Sequence, residues 1–157
     1  MRPEIRNEHP ERQIVTVRVF NAPRETVFSA WTNPELLKQW WGPKGFTNTF
    51  HQFNLRTGGH WKFTMHGPDG GNYPNESVFV EIKKPERIVL NHVSKPVFQL
   101  TAHFEEVDHN KTELTFEQLF PTIKEYNKVK GFAIDANEEN MDRLADVLQN
   151  MKSRTHL

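Results

Sequence analysis

FAIDANEENMDRLADVLQNM, residues 132–151, is the stretch around which the rest of the chain must be arranged. Apolar groups recur at Phe132, Ala133, Ala136, Met141, Leu144, Ala145, Leu148 and Met151. Asp135, Glu138, Glu139, Asp142 and Asp146 fall mainly on the other side. That spacing predicts one amphipathic helix. No proline interrupts residues 122–152, so the helix runs to the end of that segment, starting near residue 125 or after Gly131. It is the only long helical pattern in the sequence.

Upstream of it the pattern has period two. Trp61, Phe63 and Met65 alternate with Lys62, Thr64 and His66, the signature of a half-buried strand. Further strands are predicted at 46–55, 73–83, 86–93, 97–107 and 111–120. The breaks between them are short: Thr57-Gly58-Gly59, Gly67-Pro68-Asp69-Gly70-Gly71, Lys84-Pro85, Lys95-Pro96 and Asp108-His109-Asn110. Parallel neighbours need long crossovers, so these spacings imply an antiparallel meander.

At the other end, residues 13–20 (QIVTVRVF) are β-branched and nearly alternating, which predicts a first strand. Asn21-Ala22-Pro23 stops it, and Pro23 sits well at a helix start. Val27, Phe28 and Trp31 have helical spacing. Asn33-Pro34 opens a second short helix carrying Leu36, Leu37 and Trp40, which Gly42-Pro43 ends. Residues 1–12 are polar, hold two prolines, and read as a flexible lead-in to a single domain at 13–152.

The expected architecture is therefore α+β, with a curved antiparallel sheet of six or seven strands wrapped around the C-terminal helix. A sheet with one apolar face must be covered, and that helix is the one element long enough. A twisted sheet around one helix leaves a tapering space, which the two short helices can close at one end.

Composition excludes several function classes. The chain of 157 residues has no cysteine, so disulfides, thiolate metal sites and cysteine nucleophiles are ruled out, and a cytoplasmic setting fits. Formal net charge is +0 with 20 basic and 20 acidic residues interspersed, unlike a nucleic-acid binder. Near-zero charge permits a monomer or a homodimer. The first residues form no signal peptide, and no stretch approaches the ~20 apolar residues of a spanning helix, so no membrane insertion is expected. No Ser-His-Asp set, G-x-S-x-G elbow, P-loop or dinucleotide fingerprint is present, so no cofactor and no catalytic residue is assigned. The eight histidines contain no H-x-x-x-H pair, and no metal site is assigned.

Four stretches then resemble a known family. They are VRVFNAPRETVFSAWTNPE with Trp40-Trp41-Gly42-Pro43 (17–43), LRTGGHWKFTMHGPDG (55–70), EIKKPERIV (81–89) and MDRLADVL (141–148). Together they resemble the heat-shock-protein-90-activator-like proteins of the START-like, birch-pollen-allergen-like superfamily. The resemblance covers roughly residues 13–151 and implies a helix-grip fold. It says little about activity, since that superfamily hosts lipid carriers, hormone receptors, cyclases and co-chaperones. There is one departure: relatives commonly carry Gly-Trp where this chain has Ala136-Asn137. A tryptophan lost from the pocket wall would leave it roomier or more polar.

The candidate pocket residues are Trp40, Trp41, Trp61, Phe63, Met65, His92, His103, Phe116, Ala133, Asn137 and Met141. Trp61, Phe63 and Met65 share one strand face, which suits either plain core or the wall of a cavity for an apolar ligand. Trp40 and Trp41 are adjacent and cannot both face the core, so one belongs near the surface or a pocket mouth. Arg56, Glu76 and Glu81 lie in or beside strands, where ion pairs are their expected role. His92 and His103 lie on neighbouring predicted strands and, if they approach, make a polar spot. Asn137 lies on the inner helical face and must bond a ligand, water or a strand residue.

Three functions are compatible: a carrier of a small apolar or amphipathic ligand; a modulator of a chaperone ATPase, as the resemblance implies; or a cyclase- or hydrolase-type enzyme using His92, His103 and Asn137. The absence of catalytic sets favours the first.

Overall fold

The computed structural model describes residues 9–155. The lead-in expected over residues 1–12 lies, for residues 1–8, outside the described residues. Residues 9–12 form a turn, in which Arg12 N–H donates to the His9 carbonyl at 3.0 Å. Arg12 Nη1 then reaches the Phe120 carbonyl at 2.8 Å.

The elements run β1 (Gln13–Phe20), α1 (Arg24–Thr32), α2 (Pro34–Trp40), β2 (Thr47–Phe53), β3 (His60–His66), β4 (Asn72–Lys83), β5 (Arg87–His92), β6 (Phe98–Asp108), β7 (Lys111–Leu119) and α3 (Ile123–Thr155). Local chemistry places the breaks. Pro23 holds extended φ/ψ ahead of α1. The Asn33 side chain accepts from Glu35 N–H at 3.0 Å, capping α2 with Pro34 in its first turn. The Thr122 hydroxyl accepts from Glu125 N–H at 3.1 Å and starts α3. Gly58 and Gly70 take positive φ in the two glycine turns. Beside the first, a Cβ on Gly59 would lie 2.1 Å from the Asn54 carbonyl oxygen, so only glycine fits.

The seven strands form one antiparallel sheet in the order β1-β7-β6-β5-β4-β3-β2. The meander predicted for β2 to β7 is present, and β1 closes it by pairing with β7, Gln13 opposite Leu119 and Phe20 opposite Thr112. Register shifts at Phe50/Gln52, Phe79/Glu81 and Glu106/Asp108 add bend and twist. Alternation sends Trp61, Phe63, Phe79, Ile88, Leu90, Leu100, Ala102, Phe104, Leu114 and Phe116 to the buried face. Helices α1 and α2 add Val27, Phe28, Trp31, Leu37 and Trp40.

α3 covers this face unevenly. Met141, Leu144, Val147 and Leu148 enter the main core, while Ala133 joins Ile14 and Phe120 in a smaller one, with Phe98, Tyr126 and Val129 packed against it. Phe132, assigned above to the apolar stripe, is 64% exposed. At 100° per residue the buried stripe passes through 133, 137, 140, 141, 144, 147 and 148, and residue 132 falls outside it.

Candidate functional site

The four tryptophans of the chain join in one ring system. Trp31 touches Trp40 and Trp41 at centroid distances of 5.1 and 5.6 Å, and Trp41 touches Trp61 at 5.2 Å. Trp61 stacks on Phe63 at 4.5 Å. Trp40 is fully buried, its indole N–H donating to the Ala30 carbonyl at 3.0 Å. This cluster seals one end of the space between sheet and helix.

Beyond it the space opens into a cavity of about 920 Å³. That lies within the ~300–1,000 Å³ usual for small-molecule sites. One wall is sheet: Phe63 and Met65 from β3, Asn75 from β4, His92 from β5, Phe98 and Leu100 from β6, Phe116 and Gln118 from β7, with Phe120 just beyond. The opposite wall is the first half of α3, with Val129, Ala133, Ala136, Asn137 and Asn140. Trp41, Gly42, Pro43 and Phe46 close the side nearest α2. The lining is mostly aromatic and aliphatic, with few polar groups.

Of the residues predicted for the pocket, Trp41, Phe63, Met65, His92, Phe116, Ala133 and Asn137 line it. Four do not. Trp40, Trp61 and Met141 lie in the packed core beside it, where their rings and thioether are already surrounded. The two adjacent tryptophans divide as their geometry requires, Trp40 inward and Trp41 onto the cavity wall. His103 projects from the outer face of β6, 3.6 Å from Glu117 on the same face of β7. It lies opposite Arg87, whereas His92 lies opposite Phe98, so the two histidines are on opposite faces and five residues apart along the strand pair. The polar spot expected from them does not form. Odd and even positions on a strand face opposite ways, and proximity in strand order does not override that.

His92 has its own network instead. Its Nδ1 donates to the Pro96 carbonyl at 2.7 Å, which sets the tautomer. Nε2 faces the Asn75 side chain at 2.8 Å and the Ser94 hydroxyl at 3.4 Å. The ring stacks on Phe98 at 4.7 Å. Burial pushes the imidazole below its ordinary pKa, outweighing the upward pull of the bonds to Pro96 and Ser94.

Asn137 takes the strand option left open above. Its Nδ2 donates to Gln118 Oε1 at 2.7 Å, and both side chains are buried. Glu76 and Glu81 pair as their positions suggest, with His60 at 2.8 Å and Arg87 at 2.5 Å. Arg56 is exposed in the turn after β2.

Three residues that matter here escaped the sequence reading. Arg143 Nη1 donates to the carbonyls of Trp41, Gly42 and Pro43 at 3.2, 3.0 and 3.0 Å, and Nη2 to that of Gln39 at 2.9 Å. It caps the C-terminus of α2 from another element and holds the Trp41 loop against α3. Asn140 accepts from Gly42 N–H at 3.1 Å. The three-residue spacing of Asn140 and Arg143 on one helix face was the available signal. Gln118 gave none beyond its parity with Phe116.

Among the described residues no three histidine, aspartate or glutamate side chains converge to hold a metal ion. No described helix is long and apolar enough to cross a membrane.

Solved structures share this architecture. A protein from Nitrosomonas europaea superposes with a TM-score of 0.84 at 22% identity, covering 92% of this chain and 98% of its own. One from Arthrobacter aurescens gives 0.84 at 22%, covering 94% and 91%. One from Rhodobacter sphaeroides gives 0.81 at 22%, covering 92% and 96%. At these identities the likeness is one of fold. A search of curated proteins finds no match. The family model for activator of Hsp90 ATPase homolog 1-like proteins matches residues 21–150, taking in both short helices, six of the seven strands and most of α3. The helix-grip architecture and this match together establish that the chain belongs to the activator of Hsp90 ATPase homolog 1-like family, with a START-like fold.

Proposed function

We propose that the protein binds a small apolar or amphipathic molecule in the cavity between α3 and the sheet. The supporting observation is the cavity itself, about 920 Å³ walled largely by aromatic rings beside a closely packed core. Its walls present apolar surface that stays in contact with solvent when the pocket is empty, and a ligand seated there removes that surface from water and gains dispersion contacts with the rings.

The test is gentle purification, denaturation and mass spectrometry for a co-purifying small molecule, with a thermal-shift screen of lipids and aromatic metabolites. A near-stoichiometric compound, or a saturable rise in Tm, supports the reading. A blank in both counts against it.

The family match favours one further reading, modulation of a chaperone ATPase through protein–protein contact. Pull-down against the chaperone, with its ATPase rate measured, tests that directly; no binding and no change in rate ends it. The enzymatic reading has less support, because His103 stands outside the cavity that His92 and Asn137 line, and His92 and Asn137 are engaged with Pro96, Asn75 and Gln118.

A further inference from the structure

Gln118 and Asn137 are 8% and 7% exposed and both line the cavity. Each amide carries one oxygen acceptor and one NH₂ donor group. A single hydrogen bond joins them, Asn137 Nδ2 to Gln118 Oε1 at 2.7 Å. Among the described residues neither Asn137 Oδ1 nor Gln118 Nε2 has a partner. Neither atom is sealed into packed protein, as the indole nitrogens of Trp31 and Trp61 are, so both are reached from the cavity. Exchanging oxygen and nitrogen in both amides changes nothing in this inventory: one acceptor and one donor still remain, side by side.

We infer that this pair is the recognition point of the cavity, and that its ligand is an aromatic or aliphatic body carrying one neutral group with both a donor and an acceptor: a carboxamide, an alcohol or an un-ionised acid. The inference rests on the cavity-binding reading above. A purely apolar ligand would bury the free oxygen and NH₂ unpaired, which is unfavourable. An ionised carboxylate would satisfy the NH₂ but set an oxygen lone pair against the amide oxygen. A neutral donor–acceptor group satisfies both.

The second polar spot does not compete for this role. His92 lies two strands away, on β5, with Phe98 and Leu100 of β6 between it and Gln118. That separation is about 10 Å at ~4.8 Å per strand. Its ring nitrogens are already engaged by Pro96, Asn75 and Ser94. The charged groups at the cavity, Lys95, Asp135 and Glu139, are exposed and stand at its mouth. Around the amide pair the wall is mainly ring and aliphatic surface, including Phe98, Leu100, Phe116 and Phe120, which fits a flat apolar body; Asn140, one turn along α3, also lines it with its Oδ1 taken by Gly42 N–H.

The test is calorimetric titration of the full chain with naphthalene-2-carboxamide, its isosteric 2-isopropylnaphthalene and naphthalene-2-carboxylate at neutral pH. The same titrations are run on the double variant Gln118→Leu/Asn137→Leu. The wild type is expected to bind the carboxamide at least tenfold more tightly than the carboxylate. The ratio of isopropyl to carboxamide Kd is expected to fall at least tenfold in the double variant, a change that mere loosening of the fold would not produce. Equal binding of carboxamide and carboxylate, or a ratio unmoved by the substitutions, overturns the inference while leaving the cavity reading standing. No binding of any probe overturns both. Should the double variant fail to fold, the wild-type ranking of carboxamide over carboxylate decides alone.

Discussion

The two halves of α3 do different work with the same periodicity. From Met141 onward the buried positions hold Met141, Leu144, Val147 and Leu148, and the helix is packed into the main core. Before Met141 the corresponding positions hold Val129, Ala133, Asn137 and Asn140, and the helix stands over the cavity. Ile123, Phe132 and Ile134 on this half are 51%, 64% and 50% exposed. Geometry alone does not separate the halves, since both belong to one continuous helix. Side-chain volume does: large aliphatic groups reach the sheet and exclude space, while alanine and asparagine stop short and leave it. The join is made by Arg143 and Asn140, which clamp the loop after α2 at the border between the closed end and the open one.

This contrast can be broken at several points. Leu144→Ala removes a side chain with 0% exposure from the packed half. It is expected to lower unfolding free energy by about 2–5 kcal/mol in denaturant melts. A loss below ~1 kcal/mol would mean that the second half is as loose as the first. Arg143→Met removes the donors for four carbonyls at the border and is expected to cost about 1.5–3 kcal/mol, since charged donors make the stronger bonds. Because it frees the Trp41 loop, it should also change tryptophan fluorescence; an unaltered spectrum would argue against the clamp.

In the open half, acid is the probe. The folded pKa of His92 lies below its ordinary 6.5 because burial disfavours the imidazolium. The unfolded chain therefore binds the proton first, and the stability held by the neutral ring is complete above 6.5 and declines as pH falls toward the lower folded value. Tm should drop between pH 7 and pH 5 in the wild type, with a flatter profile in His92→Gln. Equal slopes for the two proteins would remove His92 as the cause. The smallest effect is expected at Phe132→Ala, within ~0.5 kcal/mol, because this side chain faces mostly solvent. A larger loss would show that the open half is closed by its own phenylalanine.

How much of this was readable in advance follows from the range over which each pattern acts. Trp61, Phe63 and Met65 announced their shared face by alternation, and Trp61 and Phe63 are buried with Met65 on the cavity wall. Alternation did not tell which of the three would meet core and which cavity, because that depends on what stands opposite. His92 and His103 show the limit most plainly. Adjacent strands suggested proximity, but the register puts Arg87 opposite His103 and Phe98 opposite His92. Register depends on where each turn ends, and one residue of slip inverts every face. Asn137 was identified as a buried polar group needing a partner. Its partner, Gln118, lies on another element and had no local signature.

The sequence by itself determined the order of elements, the antiparallel meander, the two short helices and the single long one. These follow from contacts between residues two, three or four apart, whose spacing the chain carries directly. Only the tertiary structure decided that β1 closes onto β7, that Arg143 caps a helix a hundred residues away in sequence, and that two amides meet with one donor and one acceptor to spare. Those outcomes depend on the angle and height at which α3 crosses a twisted sheet. That crossing is set by the summed volumes of all the packed side chains, not by any local repeat.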